Sequence, residues 1–117
     1  MAGDIWFEEG CFIHECHNTA DDPAVSVARA RVPVGTTTRW HVLDGTTERY
    51  LIEQGEGLAG IGTALPQPVG PGSVVVIPPG VRQRIANTGP CDLVFLAVCT
   101  PRFVPEVYRD VDPAPAP

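Results

Sequence analysis

Two stretches of the chain combine strand-forming residues with regularly spaced turn residues: residues 35–55, GTTTRWHVLDGTTERYLIEQG, and residues 72–87, GSVVVIPPGVRQRIAN. In the first, five residues separate Gly35 from His41, six separate His41 from Glu48, and six separate Glu48 from Gly55. β-Branched and aromatic residues favour strands, whereas Gly and Pro favour turns. Each stretch therefore predicts two strands joined by a turn.

The rest of the chain shows the same alternation of short apolar runs and turn residues. Its 117 residues include 12 Gly and 13 Pro, and helical periodicity is nearly absent. Strands recurring every 8 to 15 residues indicate an all-β, antiparallel sandwich or small barrel. The predicted strands cover residues 25–32, 36–43, 48–53, 58–65, 73–77, 81–86 and 92–99.

Charge excludes several classes of function. The chain has 14 acidic and eight basic residues, a formal net charge of −6, and all eight basic residues are Arg. Without Lys it cannot form a Schiff base or supply a P-loop lysine. The acidic balance also argues against nucleic acid and anionic membranes as partners.

The spacing of the two stretches closely resembles the two motifs of the cupin superfamily. The second stretch has Gly72, Pro78, Gly80, Gln83 and Asn87 at the motif positions. This resemblance implies a double-stranded β-helix, or jelly roll, with a ligand cavity inside the barrel. We expect Gly35, Gly55, Gly72 and Gly80 to provide positive φ at strand ends, Pro78 to set a corner, and Asn87 to form a turn.

The family's metal ligands are three His and one Glu, and this chain keeps only two of them. His41 and Glu48 match, whereas Leu43 and Gln83 stand where the family has His. Leu43 cannot coordinate a metal, and Gln83 offers a neutral amide oxygen. A divalent ion such as Zn²⁺, Mn²⁺ or Fe²⁺ held by His41, Glu48 and Gln83 is therefore expected to bind more weakly than at a three-His site.

Side-chain alternation along the predicted strands assigns a set of residues to the cavity face. Besides His41 and Glu48, this set comprises Arg39, Leu43, Tyr50, Ile52, Gln83 and Ile85. Trp40, Arg82 and Arg84 face outward by the same rule, towards the surface or a dimer interface. Cys99 shares a face with apolar residues, and we expect it to be a buried, inert thiol.

Three functions are compatible with this cavity floor. In the first, the divalent metal binds and supports non-redox chemistry on a small polar substrate, because a buried Glu needs a compensating cation or donors. In the second, His41 and Glu48 act without metal as catalytic acid and base in an isomerase or lyase. In the third, the polar residues satisfy one another and the cavity only binds a ligand.

A second group of possible ligands lies near the N-terminus, where Cys11, His14, Cys16 and His17 fall within seven residues. Zinc uses these residue types. On a strand, however, His14 and Cys16 would face one side, and Cys11 and His17 the other. We therefore interpret the cluster as incidental residues of an N-terminal strand or loop.

The organisation predicted is a single cupin barrel with two extensions. Residues 1–24 form one or more N-terminal strands or an arm that packs on the barrel, residues 25–104 the barrel, and residues 105–117 an extension with a Pro/Ala tail. The N-terminus has acids where a signal peptide needs positive charge, so we expect a cytoplasmic protein. Some strands are apolar on both faces, so we also expect a homodimer.

Overall fold

A computed structural model describes residues 4–7 and 9–115. Within them the regular secondary structure is all β apart from one short 3-10 helix, Pro105–Val107, near the C-terminus. In chain order the strands are β1 (Ile5–Phe7), β2 (Cys11–His17), β3 (Ser26–Val32), β4 (His41–Leu43), β5 (Thr47–Gln54), β6 (Gly57–Ile61), β7 (Gln67–Val69), β8 (Val74–Ile77), β9 (Gln83–Asn87), β10 (Leu93–Thr100) and β11 (Tyr108–Asp110).

The strands form two sheets in which every pair is antiparallel. One sheet has the order β1-β2-β3-β10-β5-β8, and the other has the order β11-β4-β9-β6-β7. Strand β10 lies between β3 and β5, with Ala97 opposite both Ala28 and Tyr50. The predicted all-β jelly roll is confirmed.

The hydrophobic core lies between the two sheets, as strand alternation requires. Along β10 every second residue is buried, from Leu93 through Phe95 and Ala97 to Cys99. Strand β9 alternates in the same way and buries Ile85. Residues from both sheets belong to one core cluster, which holds the strands that carry the candidate site in fixed register.

The predicted turn residues occupy strand ends and corners. Gly35, Gly55, Gly72 and Gly80 all have positive φ, as expected from the sequence. At Gly55 a Cβ atom would lie 2.7 Å from the Asp92 carbonyl oxygen, so the close approach of two loops also requires glycine there. Asn87 accepts a hydrogen bond from the Gly89 N–H and donates to the Cys91 carbonyl, which fastens the turn after β9.

The predicted strand over residues 36–43 is shorter in the structure, where β4 begins only at His41. The preceding residues bond to different parts of the fold. The Thr38 N–H donates to the Ile85 carbonyl, whereas the Arg39 N–H donates to the carbonyl of Glu9. Arg39 therefore lies outside a regular strand, and its side chain need not point to the same face as that of His41.

Both chain extensions pair with the barrel. Strand β2 is hydrogen-bonded to β3, so the N-terminal strands widen the first sheet. Strand β11 is bonded to β4 and widens the second, with Asp110 opposite His41. Among the described residues, no helix is long and apolar enough to span a bilayer.

Candidate functional site

A cavity opens between the two sheets, and its walls come from both the barrel and the two extensions. The polar side chains that line it are Glu9, Glu15, Ser26, His41, Glu48 and Cys99. The aromatic ones are Phe7, Phe103 and Tyr108. A mostly apolar concave surface with a few convergent polar groups is typical of a small-molecule site.

His41 lies at the start of β4 and is 3% exposed. Its Nδ1 is 2.8 Å from the carbonyl oxygen of Arg39. Because a carbonyl oxygen only accepts, Nδ1 carries a proton, and the neutral ring has its lone pair on Nε2. That Nε2 atom is 3.7 Å from Oε2 of Glu9. The ring also stacks on Tyr108, with 5.2 Å between centroids, so its orientation is fixed from two sides.

Glu48 lies on β5, directly opposite Cys99 on β10. Burial raises the pKa of Glu48 to about 7, and the Glu9 carboxylate adds to the rise. His41, the Gln83 amide and the Cys99 thiol partly offset it. The Cys99 Sγ donates a long hydrogen bond, 3.7 Å, to Glu48 Oε2. Near neutral pH this carboxyl group can therefore both accept and release a proton.

Gln83 lies on β9 opposite His41, and it is 1% exposed. The Tyr50 hydroxyl donates a short hydrogen bond to its Oε1 atom. Its Nε2 atom has no hydrogen-bond partner of good geometry within the described part of the chain, although the amide lies close enough to lower the pKa of Glu48. The oxygen that the sequence offered as a metal ligand is thus already bound to Tyr50.

This site sits in a chain whose residues 28–99 match the family model for the cupin domain. The match covers more than half of the sequence and includes both motif stretches. The chain belongs to the cupin family. No curated protein matches it.

Solved structures support the same fold for this cupin. The Streptomyces protein Pac13, a nucleoside dehydratase whose variants were solved with uridine, has a TM-score of 0.78 at 17% identity, over 94% of this chain and 85% of that one. A predicted oxalate decarboxylase from Thermotoga maritima has a TM-score of 0.70 at 29% identity, over 77% and 79%. KdgF from a Halomonas species has a TM-score of 0.73 at 17% identity, over 86% and 88%.

The side chains of this cupin do not fit the four-ligand metal site of its family. Leu43 lines the cavity where a ligand would stand, and the Gln83 oxygen is engaged by Tyr50. Within residues 4–7 and 9–115, no three His, Cys, Asp or Glu side chains are grouped so that they could hold a metal ion. His41 and Glu48 remain as the two family donors.

The other predicted cavity residues separate into three places. Leu43 lines the cavity. Tyr50, Ile52 and Ile85 are buried in the core and are not among the residues that line it. Arg39 lies outside the cavity, because its guanidinium pairs with Asp110 at 2.7 Å and donates to two carbonyls of the C-terminal segment. The assignment of Arg39 to the cavity face is wrong because β4 begins after it.

Several cavity residues were missed by sequence reasoning, most importantly Glu9 and Tyr108. Glu9 reaches His41 because the turn before β2 docks on Arg39, whose N–H donates to the Glu9 carbonyl at 2.7 Å. Tyr108 arrives through the pairing of β11 with β4. Both contacts join distant parts of the chain, and no local pattern indicates them.

The N-terminal Cys and His residues do not converge on one point with a third possible ligand in the described part of the chain. Cys11 is buried in the core, and burial raises the pKa of its thiol. His17 is exposed, with Nε2 2.9 Å from Oδ2 of Asp22. Cys16 is exposed as well. Cys11 therefore contributes to packing, whereas His17 ties the end of β2 to the following loop.

Proposed function

We propose that this cupin catalyses proton transfer on a small polar organic molecule, with Glu48 and His41 as acid–base pair and without a metal. The observation that carries this proposal is the Glu48 carboxyl group, which burial holds at a pKa of about 7 beside His41. A catalytic pKa close to the working pH is the most effective one for general acid–base catalysis. Isomerisation, epimerisation and dehydration are the reactions that this pair suits.

The two groups have complementary roles in this proposal. His41 is held by the Arg39 carbonyl so that Nε2 faces the cavity and can take or give a proton. Glu48, on the neighbouring wall of the cavity, exchanges the second proton, and Glu9, close to His41 Nε2, stabilises the imidazolium that forms. Dehydration is compatible with the fold, since the Streptomyces neighbour is described as a nucleoside dehydratase.

Metal content separates this function from a divalent ion held by His41, Glu48 and Gln83. Protein purified without a His tag is incubated with Mn²⁺, Fe²⁺ or Zn²⁺, desalted, and measured by plasma mass spectrometry. We expect far less than one metal per chain, and the same amount in His41→Ala. A stoichiometric metal that is lost in His41→Ala would overturn the metal-free proposal.

Hydrogen exchange tests the catalytic step. Uridine and a panel of aldoses and ketoses are screened by thermal shift, and the hits are followed by NMR in D₂O. We expect a carbon-bound proton to exchange, or water to be lost, at a rate that falls roughly 100-fold or more in Glu48→Gln and His41→Gln. Glu53→Gln is the matched control, because Glu53 lies on the same strand but is exposed. Stabilisation without exchange in any hit would indicate a non-catalytic binding protein.

We also propose that the chain forms a homodimer through the outer face of the first sheet. Val74 and Val76 on the edge strand β8 are 56% and 54% exposed, so their apolar side chains are left uncovered. A second copy would cover them. Analytical ultracentrifugation should show a dimer that Val74→Lys and Val76→Lys convert to a monomer, and a wild-type monomer at all concentrations would contradict this.

A further inference from the structure

We propose that the cavity selects uncharged or cationic molecules and rejects carboxylates and phosphates. The inference deepens the acid–base function proposed above, because it names the class of ligand on which that pair would act. It rests on the charges that line the cavity, on where the arginines point, and on the aromatic rings that form the remaining wall.

Three carboxyl groups line the cavity against a single imidazole. Glu9 and Glu48 flank His41, and Glu15 stands at the exposed rim. When His41 is charged and Glu48 is neutral, the carboxylates of Glu9 and Glu15 carry two negative charges and the imidazolium carries one positive charge. The cavity then has a net charge of about −1. In every other protonation state with Glu9 and Glu15 ionised, the cavity is at least as negative. An anionic ligand therefore meets a cavity whose net charge is negative even when His41 is charged.

No arginine side chain lines the cavity to supply the missing cation, among the residues that the structure describes. The chain has no Lys, and no Arg lines the cavity in the part of the chain that the structure describes; positions 1–3, 8 and 116–117 contain none. Arg39, the nearest candidate by sequence, is bound to Asp110. Arg29 pairs with Glu53, and Arg49 donates to the Thr100 hydroxyl. Recruiting one of them would require breaking an existing contact.

The aromatic wall indicates what the rest of the ligand looks like. Phe7 and Phe103 come from the N-terminal hairpin and the C-terminal segment, and Tyr108 is stacked on His41. Rings bind flat apolar surfaces and, face-on, attract cations. A ligand with one apolar ring face and a polar edge directed at His41 and Glu48 matches this lining.

A matched set of probes tests the charge selection directly. Benzyl alcohol, benzylamine and benzoate share one ring and differ in charge, and oxalate adds a dianion. Titrations followed by NMR at pH 7.5 should give dissociation constants for the alcohol and the amine about tenfold or more below that of benzoate, with no saturable oxalate binding. Benzoate or oxalate binding at the cavity as tightly as the alcohol would overturn the inference.

The charge variants connect that preference to the named residues. In the double variant Glu9→Gln, Glu15→Gln, the preference for benzylamine over benzoate should shrink severalfold, whereas Glu56→Gln, at an exposed carboxylate that does not line the cavity, should leave it unchanged. An unchanged preference in the double variant would contradict the assignment. The two proposals fail in distinguishable ways. If only the acid–base function is wrong, Glu48→Gln leaves the rate of hydrogen exchange unaffected, and the preference for benzylamine over benzoate persists.

A second measurement needs no binding. Amino and carboxy derivatives of one nitroxide are added in turn, and paramagnetic relaxation is compared at the amides of Ser26, Val27 and Ala28 beside the cavity. The cationic nitroxide should relax these amides severalfold more than the anionic one does. The ratio of the two relaxation rates should also be larger here than at the amides of Arg82 and Arg84 on the outer face. Equal ratios at both places would overturn the inference.

Discussion

The inner and outer faces of β9 carry opposite chemistry. On the inner side Gln83 lies opposite His41, close to Glu48. On the outer side Arg84, and Arg82 just before the strand, stack on the Trp40 ring, with guanidinium carbons 4.5 and 4.1 Å from its centroid. Neighbours one residue apart in the sequence thus belong to two different electrostatic environments.

The alternation of side chains along β9 determines both the packing of its outer face and the charge of the cavity. Because side chains along a strand point to opposite faces, the guanidiniums beside Gln83 are kept out of the cavity, where they would neutralise its carboxylates. Outside, the same cations lie on an indole ring and cover its apolar surface. Substitutions on the two faces should therefore differ in both the size and the pH dependence of their effects.

The largest expected difference is in stability between Ile85→Ala and Arg84→Ala. Ile85 is 1% exposed in the core, and deleting its side chain should cost about 2–5 kcal/mol. Arg84 lies on the other face, and its loss should cost no more than about 1 kcal/mol. Urea denaturation of the two variants measures both values. Equal losses would mean that the outer stack carries as much of the stability as the core does.

The next effect concerns Glu48 and its dependence on pH. Burial raises the pKa of Glu48 from 4.5 to about 7 in the folded chain, so the folded state holds its proton more tightly than the unfolded state. The stability that this proton contributes is complete below pH 4.5 and is lost as the pH rises through 7. Glu48→Gln cannot lose this proton. The free energy of unfolding of Glu48→Gln, measured relative to that of the wild type, should therefore rise by roughly 2–3 kcal/mol from pH 5 to pH 8.

Urea unfolding of both proteins at pH 5 and pH 8 measures that change. Glu53→Gln is the control, since its carboxyl is exposed on the same strand and should give nearly the same difference from wild type at both pH values. A difference between Glu48→Gln and wild type that stays constant with pH would show that Glu48 titrates in the folded state as it does in the unfolded state.

Most of the fold could be predicted from the sequence because it depends on local signals. Gly55 and Asn87 adopt the turn geometry that their residue types favour, and the inward positions of His41, Leu43 and Glu48 follow from short-range alternation. These features need only the identity of a residue and of its neighbours.

The rest of the site depends on contacts between distant parts of the chain. Glu9 meets His41 only after the N-terminal hairpin docks, and Tyr108 only after β11 pairs with β4. Alternation predicts an inward Arg39 only if the strand begins before it, and β4 begins at His41. The bond between Tyr50 and the Gln83 oxygen joins two strands in different sheets.

A smaller stability effect tests the tight packing of the outer face. A Cβ atom at Gly60 would lie 2.8 Å from Cη2 of Trp40, whose ring also carries the guanidiniums of Arg82 and Arg84. Gly60→Ala should therefore destabilise the fold by about 1–2 kcal/mol. Gly70→Ala is the control, because a Cβ atom there meets nothing within 4 Å. In a Trp40→Leu background the cost of Gly60→Ala should disappear, and persistence of the cost would place the clash elsewhere.

The smallest effect isolates the cation–π contact between Arg82 and Trp40. Arg82→Gln should cost about 0.5–1 kcal/mol, because the stack is partly exposed and Arg82 also donates to the Gly62 carbonyl. A double-mutant cycle with Trp40→Leu separates the two contributions. The cation–π part vanishes when Trp40 is absent, whereas the hydrogen bond to Gly62 remains. A coupling energy indistinguishable from zero would mean that the Arg82 guanidinium covers the Trp40 ring without being attracted to it. The two arginines would then distinguish the outer face from the cavity by their charge and not by a stabilising contact.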